Sequence, residues 1–420
     1  MLGAGTVGSQ IARLLVDNKA DLASRAGAEL ELVKVAVKNI RTKRVGIASS
    51  LLTDDAASVV NDPNIDLIIE VMGGISPAKE LILAALKNGK SVVTANKALL
   101  AKDGATLYEA AAKANVDLYY EAAVAGAIPI LRPLRESLVG DHVVRIMGIV
   151  NGTTNYILTK MDEEGTAFKD ALKQAQELGF AEADPTADVE GIDAADKAAI
   201  LAGLAFHSRV TDKDVYREGI SKITAADVKV AKTMEMVIKL LAITELTAEG
   251  EISVRVHPAL ISRNHPLAAV RESFNAVFVE AKSAGQMMFY GRGAGGEPTA
   301  SAVLGDLVAV ARHKVSGGVG PKESDYASLK IAPIGEIKTR YLIRLNVADK
   351  PGVLESVAHV FASHSVSIQT VRQSGAGDKA ELIVMTHHSS ESALSATVKD
   401  LSKLSAVSDV ASVLRVEGVI

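Results

Sequence analysis

A short stretch of the chain, residues 175–197, concentrates several carboxylates and one lysine around a predicted turn and the start of a helix. Asp193 and Lys197 are four residues apart, so they lie on the same face of that helix. The following residues, 198–206, are almost all apolar, which predicts that the helix is buried. A lysine at the mouth of a buried helix is a candidate general acid, because desolvation favours loss of its proton. The spacing fits an ordinary surface ion pair equally well.

The beginning of the chain carries a second chemical signal, a G-x-G-x-x-G motif that opens a predicted helix. Glycines in this pattern allow a tight turn and let the backbone approach a pyrophosphate at the helix N-terminus. The motif also occurs in loops that bind no ligand. Only Met1 and Leu2 precede it, so the first strand is truncated in this sequence. Either the numbered chain starts late, or the strand is absent and cofactor binding would be weakened. The candidate cofactor residues of the loop are Gly3, Gly5, Thr6, Val7 and Gly8.

A basic run after the second predicted strand bears on the choice of dinucleotide. Residues 37–44 contain four cations and no carboxylate, whereas an NAD site is expected to place an acidic residue here. Cations favour a 2′-phosphate instead, so Lys38 and Arg41 predict NADP, with NAD as the alternative. A solvated basic turn fits the same residues.

Gly73 is a further candidate cofactor residue. It directly follows a predicted strand, and ligands of doubly wound sheets bind at the carboxyl ends of the strands. A plain tight turn explains a glycine at this position equally well.

The elements that would position these residues follow three patterns along the chain. Up to about residue 120, strands alternate with helices, which indicates a parallel sheet with helices on both faces. Residues 121–310 hold longer helices and scattered strands, an α+β pattern. The order after residue 341 is strand, helix, strand, strand, helix, strand, which predicts a ferredoxin-like unit. The strands predicted in the first part are residues 32–37, 66–72, 91–94 and 117–120.

These patterns divide the chain into three domains and a linker. We expect an α/β Rossmann-like dinucleotide-binding domain at residues 1–128. An α+β substrate-binding and dimerisation domain follows at residues 129–315, and we expect its last helix to pack back on the first domain. Residues 316–340 begin with a Gly- and Pro-rich passage, which predicts a linker. Residues 341–420 form the ferredoxin-like βαββαβ domain.

Composition excludes several classes of protein. The 420 residues contain no Cys, which rules out disulfides, thiolate metal sites and a Cys nucleophile. The formal net charge of -4 argues against an overall nucleic-acid binder, and no aromatics interleave with the basic run. The longest apolar stretch, residues 122–131, is about half a membrane span and contains Pro129. We therefore expect a cytoplasmic protein without nucleic-acid or membrane partners.

The carboxylate-rich segment resembles the signature of the homoserine dehydrogenases, A-x3-G-F-A-x2-D-P-x2-D-V-x-G-x-D-x3-K, at every fixed position. The resemblance covers nearly the whole chain and implies a homo-oligomer, either a homodimer or a homotetramer. Gly295, inside the last of the matching motifs, is a candidate cofactor contact. The further motifs that match are TANK at residues 94–97, EAAVAGAIP at 121–129, NGTTN at 151–155 and YGRGAGGEPT at 290–299.

The resemblance implies an enzyme that reduces L-aspartate 4-semialdehyde to L-homoserine with NAD(P)H, a step toward threonine and methionine. Lys197 matches the proton donor to the aldehyde oxygen, and Lys97 matches a lysine beside the nicotinamide and the substrate. The carboxylates that match substrate-holding residues are Glu182, Asp188 and Asp193, with Glu182 facing the amino group.

The same resemblance implies a site for a monovalent cation, Na+ or K+. The carboxylate of Glu121 and the backbone carbonyls of Val124, Gly126 and Ile128 would form it. From the residues alone this is an apolar loop that contains glycine, and a purely structural interpretation has at least equal weight.

The C-terminal unit resembles an ACT domain, a small module that binds amino acids at interfaces between paired copies. The turn between its first strand and first helix contains Asp349, Gly352 and Val353, the candidate regulatory residues. The functional interpretation is feedback control by L-threonine. The alternative is a dimerisation module that has lost its ligand.

Two rival functions are compatible with parts of this pattern. A non-catalytic sensor of amino acids would keep the dinucleotide fold, but it would have no reason to keep Lys97, Glu182, Asp193 and Lys197 together. An aspartate-semialdehyde dehydrogenase shares the substrate but needs a Cys nucleophile, which this chain lacks. Without a thiol, the aldehyde must be handled by direct hydride transfer.

Overall fold

The computed structural model describes residues 1–44, 46–323, 325–375 and 380–418, and it shows three units in chain order. The first is a parallel α/β unit. Its strands are β1 (Val35–Ala36), β2 (Leu52–Thr53), β3 (Leu67–Glu70), β4 (Ser91–Thr94) and β5 (Leu118–Tyr119). Its helices are α1 (Thr6–Asp17), α2 (Lys19–Ala26), α3 (Ala56–Asn61), α4 (Ala78–Lys87) and α5 (Lys97–Ala114).

The sheet of the first unit is completed by the first residues of the chain. Leu2 forms parallel bridges to Ala36 of β1 and to Glu70 of β3, between the β1–β2 pair and the β3–β4–β5 sheet. The Leu2 amide donates to the Ile69 carbonyl at 2.7 Å, and the Val71 amide donates to the Leu2 carbonyl at 2.9 Å. A very short segment with regular ladder hydrogen bonds therefore fills the place of the first strand. The Rossmann-like prediction is confirmed.

The second unit is a largely antiparallel sheet with helices packed against it. Its strands are β6 (Val143–Ile149), β7 (Tyr216–Arg217), β8 (Met236–Leu246), β9 (Ile252–Ser262), β10 (Phe274–Ala281) and β11 (Gly285–Arg292). Its helices are α6 (Gly152–Glu164), α7 (Phe168–Glu177), α8 (Thr186–Val189), α9 (Ile192–Phe206), α10 (Ala225–Thr233) and α11 (Gly296–Val315). Most residues of α9 are buried, and this helix packs against α5, β8 and β9.

The last helix of the second unit, α11, packs back on the first unit. Val303 and Leu307 of α11 share a hydrophobic cluster with Ile11 of α1. At the N-terminus of α11, a Cβ on Gly296 would lie only 2.9 Å from the Cγ2 of Thr6, so glycine permits this close approach. The second unit is thereby joined to α1, the helix that follows the glycine loop.

The third unit has the predicted order of strands and helices, with one short strand, β15, added. Its strands are β12 (Lys338–Val347), β13 (Ile368–Ser374), β14 (Ala380–Thr386), β15 (Ser389–Ser390) and β16 (Val407–Val416). Its helices are α12 (Val353–Ser363) and α13 (Glu391–Leu401). Within the described ranges of the chain, no helix is long and apolar enough to cross a membrane.

The sheets of the second and third units are continuous. Among the described residues, an 11-stranded sheet has the main order β11-β10-β6-β8-β9-β16-β12-β14-β13. The units meet where β16 pairs in parallel with β9, with Arg415 opposite Ala259 and Val416 opposite Leu260. The sequence did not predict this junction, because pairing between the edges of two sheets produces no local periodicity.

The described residues of the predicted linker, 316–323 and 325–340, are mostly irregular, and some of them contact the first unit directly. The Gly320 amide donates to the Oδ1 of Asp117 at 2.7 Å. The Tyr120 hydroxyl donates to the carboxylate of Glu323 at 2.6 Å. Hydrogen bonds therefore fix the segment to the body of the protein at these two points.

Candidate active site

A cleft of about 2280 Å3 lies between the first and second units, and ten of the predicted site residues line it. The predicted residues that line it are Thr6, Val7, Gly73, Lys97, Gly126, Glu182, Asp188, Asp193, Lys197 and Gly295. Lys38 and Arg41 are exposed and lie outside this lining. The cleft therefore brings together residues that are far apart in the sequence.

The glycine loop forms one end of the cleft, at the N-terminus of α1. A Cβ on Gly3 would lie 2.8 Å from the carbonyl oxygen of Val71, and a Cβ on Gly8 would lie 2.6 Å from the carbonyl oxygen of Gly3. A Cβ on Gly5, in contrast, would meet no atom within 4 Å. Gly3 and Gly8 thus allow the loop to pack tightly, while Gly5 leaves room for a pyrophosphate beside the first N–H groups of the helix. This cradle fits a dinucleotide.

Glu70, which the sequence analysis did not single out, shapes the turn that faces the glycine loop. Its side chain is fully buried at the end of β3. Its Oε1 accepts hydrogen bonds from the amides of Met72 at 2.8 Å and Gly73 at 3.2 Å, and its Oε2 accepts one from the Thr94 hydroxyl at 2.6 Å. The sequence does contain a signal for this role, a charged residue inside an apolar strand. A carboxylate that is buried must accept hydrogen bonds from neighbouring donors.

The TANK motif places Lys97 at the first position of α5. The Oδ1 of Asn96 caps this helix by accepting from the Leu99 amide at 3.2 Å, and its Nδ2 donates to the Gly74 carbonyl at 2.7 Å. The Asn96 amide donates to the Thr94 hydroxyl at 3.0 Å. These bonds tie the start of α5 to the turn after β3, so the Lys97 side chain emerges into the cleft.

Asp193 is the centre of the site, because it holds both predicted catalytic lysines. Its Oδ1 lies 3.1 Å from the Nζ of Lys97, and its Oδ2 lies 2.6 Å from the Nζ of Lys197. Lys197 also donates to the Val150 carbonyl at 2.6 Å, and the Nδ2 of Asn151 donates to the Asp193 Oδ2 at 3.0 Å. One carboxylate therefore joins lysines from two helices.

The charges of this cluster change one another's ionisation. Burial alone would raise the pKa of Asp193, but the two ammonium groups outweigh it and hold this pKa well below its usual value. The Asp193 carboxylate in turn raises the pKa of Lys97. Burial, followed by the charge of Asp193, raises the pKa of Asp196 to about 6. Near neutral pH, Asp193 and Lys97 are thus a fixed ion pair, and Asp196 titrates close to that range.

Two further carboxylates border the cleft at different depths. Asp188 accepts a hydrogen bond from the Nδ2 of Asn151 at 2.6 Å, and burial raises the pKa of Asp188. Glu182 is exposed at the rim. Asn151, from the NGTTN motif, thereby links Asp188 to Asp193, a role that the motif alone did not reveal. An exposed and a half-buried carboxylate on the same cleft suit the binding of an ammonium group.

The basic run after β1 touches the glycine loop through Arg44. The Nε of Arg44 donates to the Ala4 carbonyl at 3.3 Å, and its guanidinium also donates to the carbonyl of Asn39 at 3.0 Å. Lys38 and Arg41 extend into solvent. The residue of this run that the structure anchors beside the loop is therefore one that the sequence analysis did not choose.

Three family models match consecutive parts of the chain. Residues 3–121 match the NAD-binding domain of homoserine dehydrogenase, residues 129–308 match homoserine dehydrogenase, and residues 341–406 match the ACT domain. The homoserine dehydrogenase of Mycobacterium tuberculosis is 55% identical over 428 residues, which cover 100% of this chain and 97% of that protein. The chain belongs to the homoserine dehydrogenase family.

Solved structures of homoserine dehydrogenases have the same fold. The crystal structure from Thiobacillus denitrificans matches with a TM-score of 0.94 at 41% identity, over 99% of this chain and 97% of that one. A hyperthermophilic archaeal homoserine dehydrogenase in complex with NADPH matches with a TM-score of 0.60 at 28% identity, over 74% of this chain and 95% of that one. The predictions of the family, the fold and an NAD(P)-dependent oxidoreductase are confirmed, and the sensor is not favoured.

The homoserine dehydrogenase resemblance places Glu121 at a cation site. In the structure, the Glu121 carboxylate accepts hydrogen bonds from backbone amides. Its Oε1 accepts from the amides of Ile130 at 2.6 Å and Leu131 at 2.8 Å, and its Oε2 accepts from Arg132 at 2.8 Å. Burial raises the pKa of Glu121 against the effect of these donors. The carboxylate therefore caps the chain at residues 130–132, and it does not fit the role of a free cation ligand. In the described part of the chain, no group of three or more acidic or His side chains is arranged for a metal.

The predicted regulatory residues lie at the turn between β12 and α12 of the ACT domain. Gly352 precedes α12 with a φ of 87°, a left-handed conformation that favours glycine. Val353 is the first residue of the helix. Asp349 accepts a hydrogen bond from the Nε2 of Gln373 on β13 at 3.1 Å. The turn is thereby connected to the edge strand of the unit.

Proposed function

We propose that this member of the family reduces L-aspartate 4-semialdehyde to L-homoserine at the Asp193 centre of the cleft. The main support is that two lysines from different helices share the Asp193 carboxylate where it borders the cleft. The substrate is an aldehyde that also carries an ammonium and a carboxylate group. The cleft offers both signs of charge at short range, which suits such a molecule.

Lys197 is the proposed proton donor to the aldehyde oxygen. An ammonium group has three N–H donors, of which Asp193 and the Val150 carbonyl engage two. The third is available to a substrate oxygen. The dinucleotide supplies the hydride when it is bound. Negative charge then builds on the carbonyl oxygen, and the adjacent Lys197 ammonium stabilises and protonates it.

The substrate ammonium group is assigned to Glu182 and Asp188. Asp193 is already engaged by both lysines, so its main task is to position them. Glu182 is exposed at the rim of the cleft, and Asp188 lies deeper beside Asn151. An arriving ammonium group therefore meets two carboxylates that the lysines do not neutralise.

NADP is the proposed dinucleotide, held by the glycine loop and the basic run. The support for a 2′-phosphate contact is the positive charge of residues 38–44 together with the anchoring of Arg44 on the Ala4 carbonyl. Lys38 and Arg41 extend from the same turn, and their contacts with the 2′-phosphate stay a prediction. The NADPH complex of the archaeal relative is consistent with this choice.

A monovalent cation, Na+ or K+, is proposed on the backbone carbonyls of Val124, Gly126 and Ile128 alone. A Cβ on Gly126 would lie 2.4 Å from the carbonyl oxygen of Gly293, so this loop presses directly on the YGRGAGGEPT motif. A cation on these carbonyls would brace the two segments. Replacing K+ and Na+ by tetramethylammonium should lower turnover if this proposal is correct, and equal turnover in the three salts contradicts it.

Feedback control by L-threonine through Asp349, Gly352 and Val353 is the proposed role of the ACT domain. The support is the match to that domain and the place of these residues at the turn before α12. Calorimetric titration of the full chain with L-threonine should show binding that Asp349→Ala weakens, together with inhibition of turnover. Inhibition that Asp349→Ala leaves unchanged would move the effector site elsewhere.

A homodimer or homotetramer in the cytoplasm is the proposed assembly. The support is the exposed strand β11 at one end of the long sheet, where Met288 and Tyr290 are 41% and 53% exposed. Unpaired edges of this kind associate readily with a second chain. Light scattering coupled to size-exclusion chromatography measures the assembly directly.

Oxidation of NADPH by the purified full chain in the presence of L-aspartate 4-semialdehyde tests the proposed reaction. We expect turnover with this substrate and formation of homoserine, with NADPH used more efficiently than NADH. Binding of the dinucleotide without turnover would favour the sensor instead.

A further inference from the structure

The first turns of α9 carry a carboxyl group that the reaction proposed above does not use. Asp196 lies three residues after Asp193, so both side chains project from the same face of the helix. Asp196 is half-buried and lines the cleft together with Lys97, Asp193 and Lys197. It is therefore placed where substrate and cofactor would meet the lysines.

The charges around Asp196 come from three elements. Asp193 and Lys197 lie on its own helix, Lys97 lies on α5, and Asp212 lies in the turn after α9. The interaction with Lys97 is reciprocal, because Asp196 is also among the carboxylates that act on the Lys97 ammonium, after Asp193 and ahead of Asp188. Asp196 and Lys97 therefore border the same cleft where α5 packs on α9, and their charges act on each other without a direct ion pair.

One carboxylate is shared by two ammonium groups in this cluster. The bond from Asp193 to Lys197, at 2.6 Å, is shorter than its bond to Lys97, at 3.1 Å. The Lys97 side chain is also 40% exposed, against 9% for Lys197. Lys97 is therefore the more loosely held lysine, and a second anion nearby would strengthen its attraction to this part of the cleft.

We propose that Asp196 is a positioning residue for Lys97 and provides the second carboxylate, one turn along α9, that holds the Lys97 ammonium at the cleft. This inference rests on the proposed function, because it assigns Lys97 a task beside the substrate. Asp193 is then free to orient Lys197 through its shorter bond.

The arrangement makes the position of Lys97 sensitive to pH. Burial and the neighbouring Asp193 charge raise the pKa of Asp196 to about 6. The carboxylate is therefore charged above this pH and attracts Lys97, and the attraction is lost as the pH falls through about 6. Turnover of the unmodified protein should decline over the same range.

The first test is the pH profile of kcat and KM for Asp196→Asn in the full chain. We expect kcat at pH 8 to fall about fivefold, the upper range for a partly exposed charge pair, with the KM for NADPH unchanged. The decline near pH 6 should disappear in this variant and return in Asp196→Glu. Asp170→Asn, an exposed carboxylate on α7, should behave like the unmodified protein.

Two results of this test would overturn the proposal. One is an Asp196→Asn variant with unchanged kcat. The other is a uniform loss of kcat in which the decline near pH 6 persists, since that pattern indicates a structural role only.

The second test needs neither substrate nor cofactor. Carbon-13 NMR of the free protein, labelled at aspartate carboxyl groups, should show a resonance that titrates near pH 6 and is missing from Asp196→Asn. Lys97→Met should move its midpoint upward by about half a pH unit, because a neighbouring cation is lost. Lys102→Met, at an exposed position of α5, should leave it unchanged. A midpoint that Lys97→Met does not move contradicts the proposal.

The two tests also separate this inference from the reaction on which it rests. If the unmodified protein has no turnover, the proposed function fails, while the NMR titration still decides whether Asp196 and Lys97 interact. If turnover is present but the midpoint is unmoved, only the role of Asp196 is lost.

Discussion

Two clusters of charged side chains lie in different regions of the molecule, one at the cleft and one where β9 meets β16. At this junction, Glu417 lies 2.6 Å from Arg145 and 3.1 Å from Arg255. Glu245 lies 3.0 Å and 2.7 Å from the same two arginines. Two anions thus meet two cations, and the Arg255 side chain is only 2% exposed. The junction cluster therefore has equal numbers of positive and negative charges and is largely buried.

The cleft cluster also combines basic and acidic side chains, but some of its carboxylates form no ion pair. Lys97 and Lys197 lie among four of the carboxylates that line the cleft, and the Lys97 side chain is 40% exposed. Glu182 and Asp188, which form no ion pair with a lysine, border the open space, which is where a cationic substrate group would bind. A largely buried cluster in which every charge is paired thus stabilises the contact between units. An open cluster that keeps carboxylates without an ion pair is suited to bind a ligand. The four carboxylates are Glu182, Asp188, Asp193 and Asp196.

Lys197→Met should have the largest effect on turnover, and this result would show that the cleft cluster takes part in the reaction. We expect kcat to fall at least about a hundredfold, the lower end for loss of a general acid. Steady-state kinetics with aspartate semialdehyde measures this loss, and fluorescence titration should show unchanged affinity for NADPH. Turnover close to that of the unmodified protein would contradict the assignment.

Glu417→Gln should mainly affect stability and would show that the junction cluster is structural. Removing this charge leaves the buried Arg255 and the partly buried Arg145 underpaired, and breaking a buried pair costs about 3–5 kcal/mol in the free energy of unfolding. Urea denaturation followed by circular dichroism measures it. Asp400→Asn, in an exposed pair with Lys403, should cost less than about 1 kcal/mol. Similar losses of unfolding free energy in both variants would contradict a special structural role for the junction cluster.

The effect of Glu417→Gln should also depend on pH. Burial would raise the pKa of Glu417, but Arg255 and its other partners hold this pKa well below its usual value. The stability that the carboxylate contributes is therefore complete above the pH at which an unfolded Glu titrates, about 4.3, and is lost at lower pH. The difference between the variant and the unmodified protein should shrink below about pH 4. A difference that grows on acidification contradicts this sign.

Glu182→Ala should produce a smaller effect, limited to the substrate, and would sharpen the claim that unpaired carboxylates of the cleft bind an ammonium. We expect the KM for the semialdehyde to rise about tenfold, equivalent to about 1.4 kcal/mol, with little change in kcat. Glu177→Ala, an exposed residue of α7, is the matched control. An unchanged KM would count against a contact with the amino group.

Arg44→Ala should give the smallest effect, confined to the cofactor. We expect the KM for NADPH to rise about fivefold while the KM for NADH stays constant, because an exposed contact to a phosphate contributes about 1 kcal/mol. The difference should decrease at high salt through screening. Lys38→Ala and Arg41→Ala should act in the same direction. Equal changes for both dinucleotides would contradict a 2′-phosphate contact.

Much of the site was predictable because its motifs are local. The spacing of Asp193 and Lys197 fixes a common helical face, and the apolar residues that follow predict a buried helix. The glycines of the loop are also readable, since only glycine tolerates the close contacts found at Gly3 and Gly8. Glu70 was missed because the partners of a buried carboxylate lie on other segments of the chain.

By itself, the sequence determined the family, the order of strands and helices in the third unit apart from the short β15, and ten of the residues that line the cleft. Only the tertiary structure decided which of these residues touch. Lys97 meets Asp193 because α5 packs on α9, and β16 joins β9 because two sheet edges come together. The tertiary structure also decided that backbone amides donate hydrogen bonds to the Glu121 carboxylate. Local patterns record the environment of one segment, whereas contacts between distant segments depend on how whole elements pack.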